Sequence, residues 1–106
     1  MALPKIITCY TTISDKQSAE RLINQLLETR LIACGVSWSV QSQYKWQNEL
    51  RNEGEYVVFM KSSVDVKERL VSRIQDFHPY DVPCVLIEEV ESNPAYCDWV
   101  REQTAQ

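Results

Sequence analysis

The stretch DFHPYDVPC, residues 76–84, holds the chain's only histidine, two of its four prolines and one of its four cysteines. An imidazole at His78 could act as a general base, with Tyr80 or Asp81 handling the proton and Lys61 stabilising developing negative charge. It could instead hold a metal ion beside thiolates, or simply mark the exit from a helix. Pro79 lacks an N–H and drives His78 towards extended angles, so a helix must stop there. Cys9, Cys34, Cys84 and Cys97 contain no C-x-x-C pair, which excludes the usual zinc-knuckle and thioredoxin-like spacings. No nucleophile elbow, Walker loop, dinucleotide glycine motif or zinc-protease motif occurs. Binding is therefore favoured over catalysis.

A second group of residues surrounds the run EYVVFMK at 55–61. Lys61 closes an apolar strand pattern, where an inward-facing charge requires a partner. Glu55 could pair across a subunit junction, and Tyr80 and Trp46 could line a cleft. The two readings are a satisfied interfacial ion pair with aromatic packing, and a pocket for a small anionic ligand or other effector. The acidic run EEVE at 88–91 is weaker, because alternate strand residues face opposite ways and cannot converge on one ion.

The chain has 106 residues, the size of one domain spanning 1–106. Its 11 Lys and Arg against 15 Asp and Glu give a net charge of -4, and no basic run tracks a phosphate backbone. Nucleic acid is not an expected partner. MALPKIITCYTT lacks the charged and apolar regions of a secretory leader, and no run of about 18 apolar residues could cross a membrane. These features predict a soluble, cytoplasmic protein with reduced cysteines.

Hydrophobic periodicity supplies the elements that must position these groups. KIITCYTT reads as an interior strand. SDKQSAERLINQLLETRL changes to helical spacing through Ala19, Leu22, Ile23, Leu26, Leu27 and Leu31, with Ser14 and Gln17 at capping-box spacing. CGVSWSVQSQYKW is a long half-buried strand with Val36, Trp38, Val40, Tyr44 and Trp46 on one parity. QNELRNEG predicts a turn and EYVVFMKSS a returning strand. DVKERLVSRIQDF predicts a helix with Val66, Leu70, Ile74 and Phe77 along one face and Asp65 with Glu68 at its N-terminal cap. VPCVLIEEV is a last strand, and Asn93–Pro94 opens a short helix through cap and N1 preferences.

The order strand-helix-strand-strand-helix-strand predicts an α+β, ferredoxin-like split βαβ sandwich, with a long β-hairpin and a short C-terminal helix. Both long helices should cover one sheet face. The other face, rich in Trp38, Tyr44 and Trp46, should lack cover within one chain and drive self-association. On this reading the first and fourth strands flank different inner strands.

The pieces ETRLIAC (28–34), SQYKW (42–46), EYVVFMKSS (55–63), HPYDVP (78–83) and NPAYCDWVREQT (93–104), in this order, resemble the CutA divalent-cation-tolerance family. The resemblance implies a homotrimer with interlocking hairpins, in the cytoplasm, associated with tolerance to copper and other divalent metals. It implies a copper region joining Cys9, His78 and the position after Pro83, here Cys84 where an acidic residue is frequent. Thiols and imidazole would suit Cu(I) or Zn(II), with Cu(II) the family's broader association. Phe77 replaces a second histidine found in some relatives, and WQN at 46–48 replaces a frequent WEG. The resemblance also places Trp46, Glu55, Lys61 and Tyr80 near a junctional cleft. The likeness to trimeric nitrogen-signalling regulators adds an effector-sensing reading by fold analogy.

Overall fold

The computed structural model describes residues 2–106. Strand β1 (Lys5–Ile13) leads into helix α1 (Lys16–Glu28), followed by β2 (Cys34–Trp46) and β3 (Glu49–Ser62). A 3-10 turn at Val64–Val66 enters α2 (Lys67–Phe77), and β4 (Leu86–Glu91) and α3 (Pro94–Gln103) complete the chain. The strands form one antiparallel sheet in the order β2-β3-β1-β4. This is the expected ferredoxin-like α+β arrangement.

One inference about the sheet was wrong. Strands β1 and β4 are direct neighbours, with Cys9 opposite Ile87 and Tyr10 opposite Leu86. The split βαβ topology puts β1 at the centre, where it pairs β3 on one side and β4 on the other.

Alternation along β1 sends Ile7, Cys9 and Ile13 into the core, where they meet Val58 and Met60 of β3. Ala19, Leu22 and Leu26 of α1, with Leu70 and Ile74 of α2, close this core from above. Each large apolar side chain buried there contributes about 1.5–3 kcal/mol relative to exposure. Helix α1 lies directly on β2 at Gly35, where an added Cβ would come within 2.9 Å of Ile23.

Two local expectations are corrected by the structure, both at helix starts. Asp15, not Ser14, caps α1: its carboxylate accepts the Ser18 N–H at 2.7 Å, while Ser14 Oγ donates to Asp15 at 3.0 Å. Asp65 is not a cap, because a 3-10 turn precedes α2 and Asp65 instead reaches Arg101 at 3.7 Å. Phe77 stays exposed at the end of α2, under the Arg73 guanidinium at 5.3 Å from its ring.

The opposite sheet face is only partly bare. Helix α3 covers one end of it, packing Cys97 and Val100 against Ile6 and Ala33. Beyond that cover, Val36, Phe59, Tyr10 and Leu86 form one register row across all four strands, with Val36 and Leu86 exposed. Trp38, in the next row, is also exposed.

Residues Glu49–Glu55 of β3 pair with β2 alone, so the hairpin leaves the sheet as a two-stranded arm. The arm stretches the molecule to 49 × 29 × 22 Å. The radius of gyration is 14.7 Å, against about 13 Å for a compact domain of this length. Such a ribbon has little stability without something to pack against.

The arm's tip is tighter than the octapeptide turn expected at QNELRNEG. Trp46 pairs with Glu49, leaving only Gln47 and Asn48 in the turn, at φ 51° and 65°. Both central residues are left-handed, as a type I′ turn requires, and asparagine followed by glycine suits those positions best. A Gln47→Asn/Asn48→Gly pair should stabilise the protein by about 1 kcal/mol. Urea unfolding tests this, and an unchanged or lowered midpoint would show that the tip is shaped by contacts beyond the turn.

Candidate functional site

The site is built around the exit of α2. His78 is its C-cap at φ -72° and ψ 132°, and its N–H still reaches Ile74 O at 2.9 Å. Pro79 prevents another turn, so the chain runs out across the end of β1. The buried imidazole donates from Nε2 to the Thr12 carbonyl at 2.7 Å. Its Nδ1 accepts the Tyr80 N–H at 3.2 Å. Both ring nitrogens are thus engaged, and the Tyr80 ring lies edge-on at 4.6 Å.

This bracing aims Tyr80 at the base of the hairpin arm. Its hydroxyl donates to Glu55 Oε2 at 2.7 Å. Burial first, and then the Glu55 hydrogen bond and charge, hold the phenol well above the ordinary tyrosine range. Tyr80 is therefore a protonated donor at physiological pH. Glu55 is only 7% exposed.

Glu55 and Tyr80 open onto a cleft of about 440 Å³ between the arm and the loop after α2. Tyr44, Trp46 and Tyr80 supply aromatic surface, Glu53, Glu55 and Asp81 carboxylates, Arg51 a guanidinium and Cys84 a thiol. Thr12 and Val82 complete the lining. Of the expected effector group, Trp46, Glu55 and Tyr80 meet here. Lys61 does not.

Lys61 lies six residues from Glu55 along β3, a separation of about 20 Å on an extended strand. Its ammonium sits 5.4 Å from the centre of the Tyr96 ring on α3. Lys61 therefore cannot serve the same reacting centre as His78 and Tyr80 in this conformation, as the catalytic reading required.

The three residues of the copper reading lie in different environments. Cys9 faces the core and is 1% exposed; burial, and then the charge of Cys84, push its thiol up to about 12. Cys84 is half-buried at the cleft wall, its thiol raised by burial and by Glu55. His78 has no ring nitrogen free. Among the described residues, no three His, Cys, Asp or Glu side chains are disposed to hold a metal ion.

The sequence reading missed Tyr44, Arg51 and Glu53 as cleft residues. Tyr44 pairs with Arg51 across the arm, and Glu53 lies on the same face as Glu55. A two-residue turn at Gln47–Asn48 sets that register, so placing the turn correctly would have revealed them.

The family model for CutA1 divalent ion tolerance protein matches residues 7–103. The chain belongs to this family. The divalent-cation tolerance protein CutA of Pyrococcus horikoshii is 36% identical over 100 residues, covering 93% of this chain and 98% of the relative. That of Thermotoga maritima is 30% identical over 98 residues, covering 92% and 97%. The crystal structure of the divalent ion tolerance protein CutA1 from Ehrlichia chaffeensis superposes with a TM-score of 0.91 at 34% identity, covering 95% of this chain and 96% of that one. The sheet order and long hairpin are therefore family features in this chain.

Two expectations test the site's framework. Replacing His78 by alanine strips partners from the Thr12 carbonyl and the Tyr80 N–H, and should cost about 1–3 kcal/mol. Equal urea midpoints would show that these hydrogen bonds are made only at the surface's expense and carry no net stability. Cys9 gives the second test. Its thiol ionises near 9.0 in the unfolded chain but near 12 when folded. Its burial thus contributes stability in full below pH 9, which is lost as pH rises towards 12. Stability should fall across that window, less so in a Cys9→Ala variant, and alkylation of Cys9 at neutral pH should keep pace with global unfolding.

Proposed function

We propose that this chain is a homotrimeric, cytoplasmic protein of divalent-metal tolerance that acts by binding a ligand in the Glu55 cleft and not by catalysis. The observation that carries this reading is Glu55 itself. It is nine-tenths buried, faces a ligand-sized cleft, and has no cationic side chain within 4.0 Å among the described residues. Buried carboxylates are normally paired, so such a group is an expectant one.

The metal-tolerance role comes from the family, in which the Pyrococcus horikoshii and Thermotoga maritima relatives carry that name. The trimer is supported by two physical features, the apolar row on the partly uncovered sheet face and the arm, which extends beyond the four-stranded sheet with only β2 and β3 paired to each other. Four free thiols suit a reducing compartment.

Cys84 is the accessible soft donor in this reading, beside the carboxylates of the cleft. Cu(I) or Zn(II) would be attracted there as cargo or signal. A site that also uses Cys9 and His78 requires His78 to leave the Thr12 carbonyl or the Tyr80 N–H, and Cys9 to ionise in the core. Metal binding at the full set is therefore coupled to rearrangement of the α2 exit. A second reading, an effector sensor, is favoured by the aromatic walls of the cleft, which a bare metal ion does not use.

Native mass spectrometry of the reduced protein, titrated with Cu(I) and Zn(II), tests assembly and metal uptake together. The expected result is a trimer that takes up Cu(I), with weaker uptake by Cys84→Ser and an unchanged trimer. A stable monomer would overturn the assembly. Equal Cu(I) affinity in wild type and Cys84→Ser would remove Cys84 from the site.

A further inference from the structure

The cleft's chemistry selects among ligands. Arg51 is its one lining cation among the described residues, and its guanidinium is turned along β3, 3.7 Å from Glu49 and 3.8 Å from Glu53. Neither Glu55 nor Asp81 has an ion-pair partner among the described residues. Tyr80 occupies Oε2 of Glu55 as a neutral donor and leaves the carboxylate's charge uncompensated. The cleft therefore carries excess negative charge, from buried Glu55 and exposed Asp81.

That charge is framed by the rings of Tyr44, Trp46 and Tyr80. Aromatic faces present negative potential and attract ammonium groups, while their carbon surface accepts an alkyl chain. An anion would meet the uncompensated Glu55 and Asp81 and be repelled. A hard divalent metal needs about six oxygen ligands in close order, whereas no three carboxylate, thiol or imidazole groups converge here among the described residues. An organic cation suits the acidic and aromatic parts of the lining: its ammonium neutralises Glu55, and its carbon body replaces water against the rings.

Building on the reading of this cleft as a ligand site, we propose that it binds a small alkylammonium ion, with Glu55 as counter-ion, Trp46 and Tyr44 as walls, and Asp81 as a second anchor that favours diamines over monoamines. At about 440 Å³ the cleft lies within the range of small-ligand pockets. The earlier expectation of a small anionic ligand rested on Lys61, which lies outside the cleft.

The test is calorimetric titration of the reduced full-length protein with 1,4-diaminobutane, butylamine and butyrate, alongside Zn(II). The expected result is saturable diamine binding, one per chain, weaker binding of butylamine and none of butyrate. Glu55→Gln should weaken diamine binding at least tenfold, and Lys61→Ala should leave it unchanged. Amide and indole NMR provides a readout that does not depend on a variant's folding: the Trp46 indole should shift on diamine addition while that of Trp99 does not. Absence of diamine binding overturns the proposal, including where a basic side chain of a second copy fills the cleft in the trimer. Equal affinity of Glu55→Gln, or a Trp46 signal that does not move, overturns it too. If Zn(II) binds and diamines do not, the alkylammonium assignment fails while the ligand-cleft reading stands; if neither binds, both fail.

Discussion

The hydrogen bond from Tyr80 to Glu55 joins two parts of the chain that the sheet leaves separate. Glu55 lies where β3 leaves its pairing with β1 and becomes half of the free arm. Tyr80 lies on the loop between α2 and β4. Without this link nothing fixes the distance between arm and loop, and the cleft between them has no defined shape. The bond is short, partly buried and made to a carboxylate, the kind whose loss costs more than an ordinary surface contact.

His78 makes that bond possible without entering the cleft. Its two nitrogens hold the Thr12 carbonyl and the Tyr80 N–H, so β1, the α2 exit and the loop share one ring. The imidazole thus serves as a brace. It stands two residues from the hydroxyl that meets Glu55, and its orientation sets where Tyr80 points. The lone histidine carries its chemical interest through position.

Most of the fold was legible because each element declares its period. The inward set of β1 and the apolar stripe of α1 follow from spacing alone, and Pro79 and Pro94 mark a helix end and a helix start. The β1–β4 pairing was misjudged although the split βαβ order, once assigned, itself sets β1 between β3 and β4. The caps failed locally: Ser14, Asp15 and Asp65 are all chemically competent, and only the backbone angles decide which one bonds. Of the expected effector group, Trp46, Glu55 and Tyr80 line one cleft, whereas Lys61, included for its charge, does not. Strand parity placed Lys61 on the right face, but distance along the strand puts it at the wrong end. Arg51 and Glu53 were hidden by the length assigned to the turn.

The position of the cleft couples its occupancy to the arm. One wall belongs to the arm, through Tyr44, Trp46 and Glu55, and the other to the loop, through Tyr80, Asp81 and Cys84. A ligand touching both walls binds best when the arm holds one angle to the sheet, and stabilises that angle by its binding energy, RT ln(1 + [L]/Kd). Past its Tyr80 anchor at Glu55 the arm continues as a two-stranded ribbon, so in the proposed trimer its angle is also what a neighbouring copy would engage. In the proposed trimer, ligand and neighbour would act on the same degree of freedom, and thermodynamic reciprocity requires that each alter the affinity of the other if their preferred angles differ. On the proposed reading, this geometry would carry binding into assembly without a catalytic step.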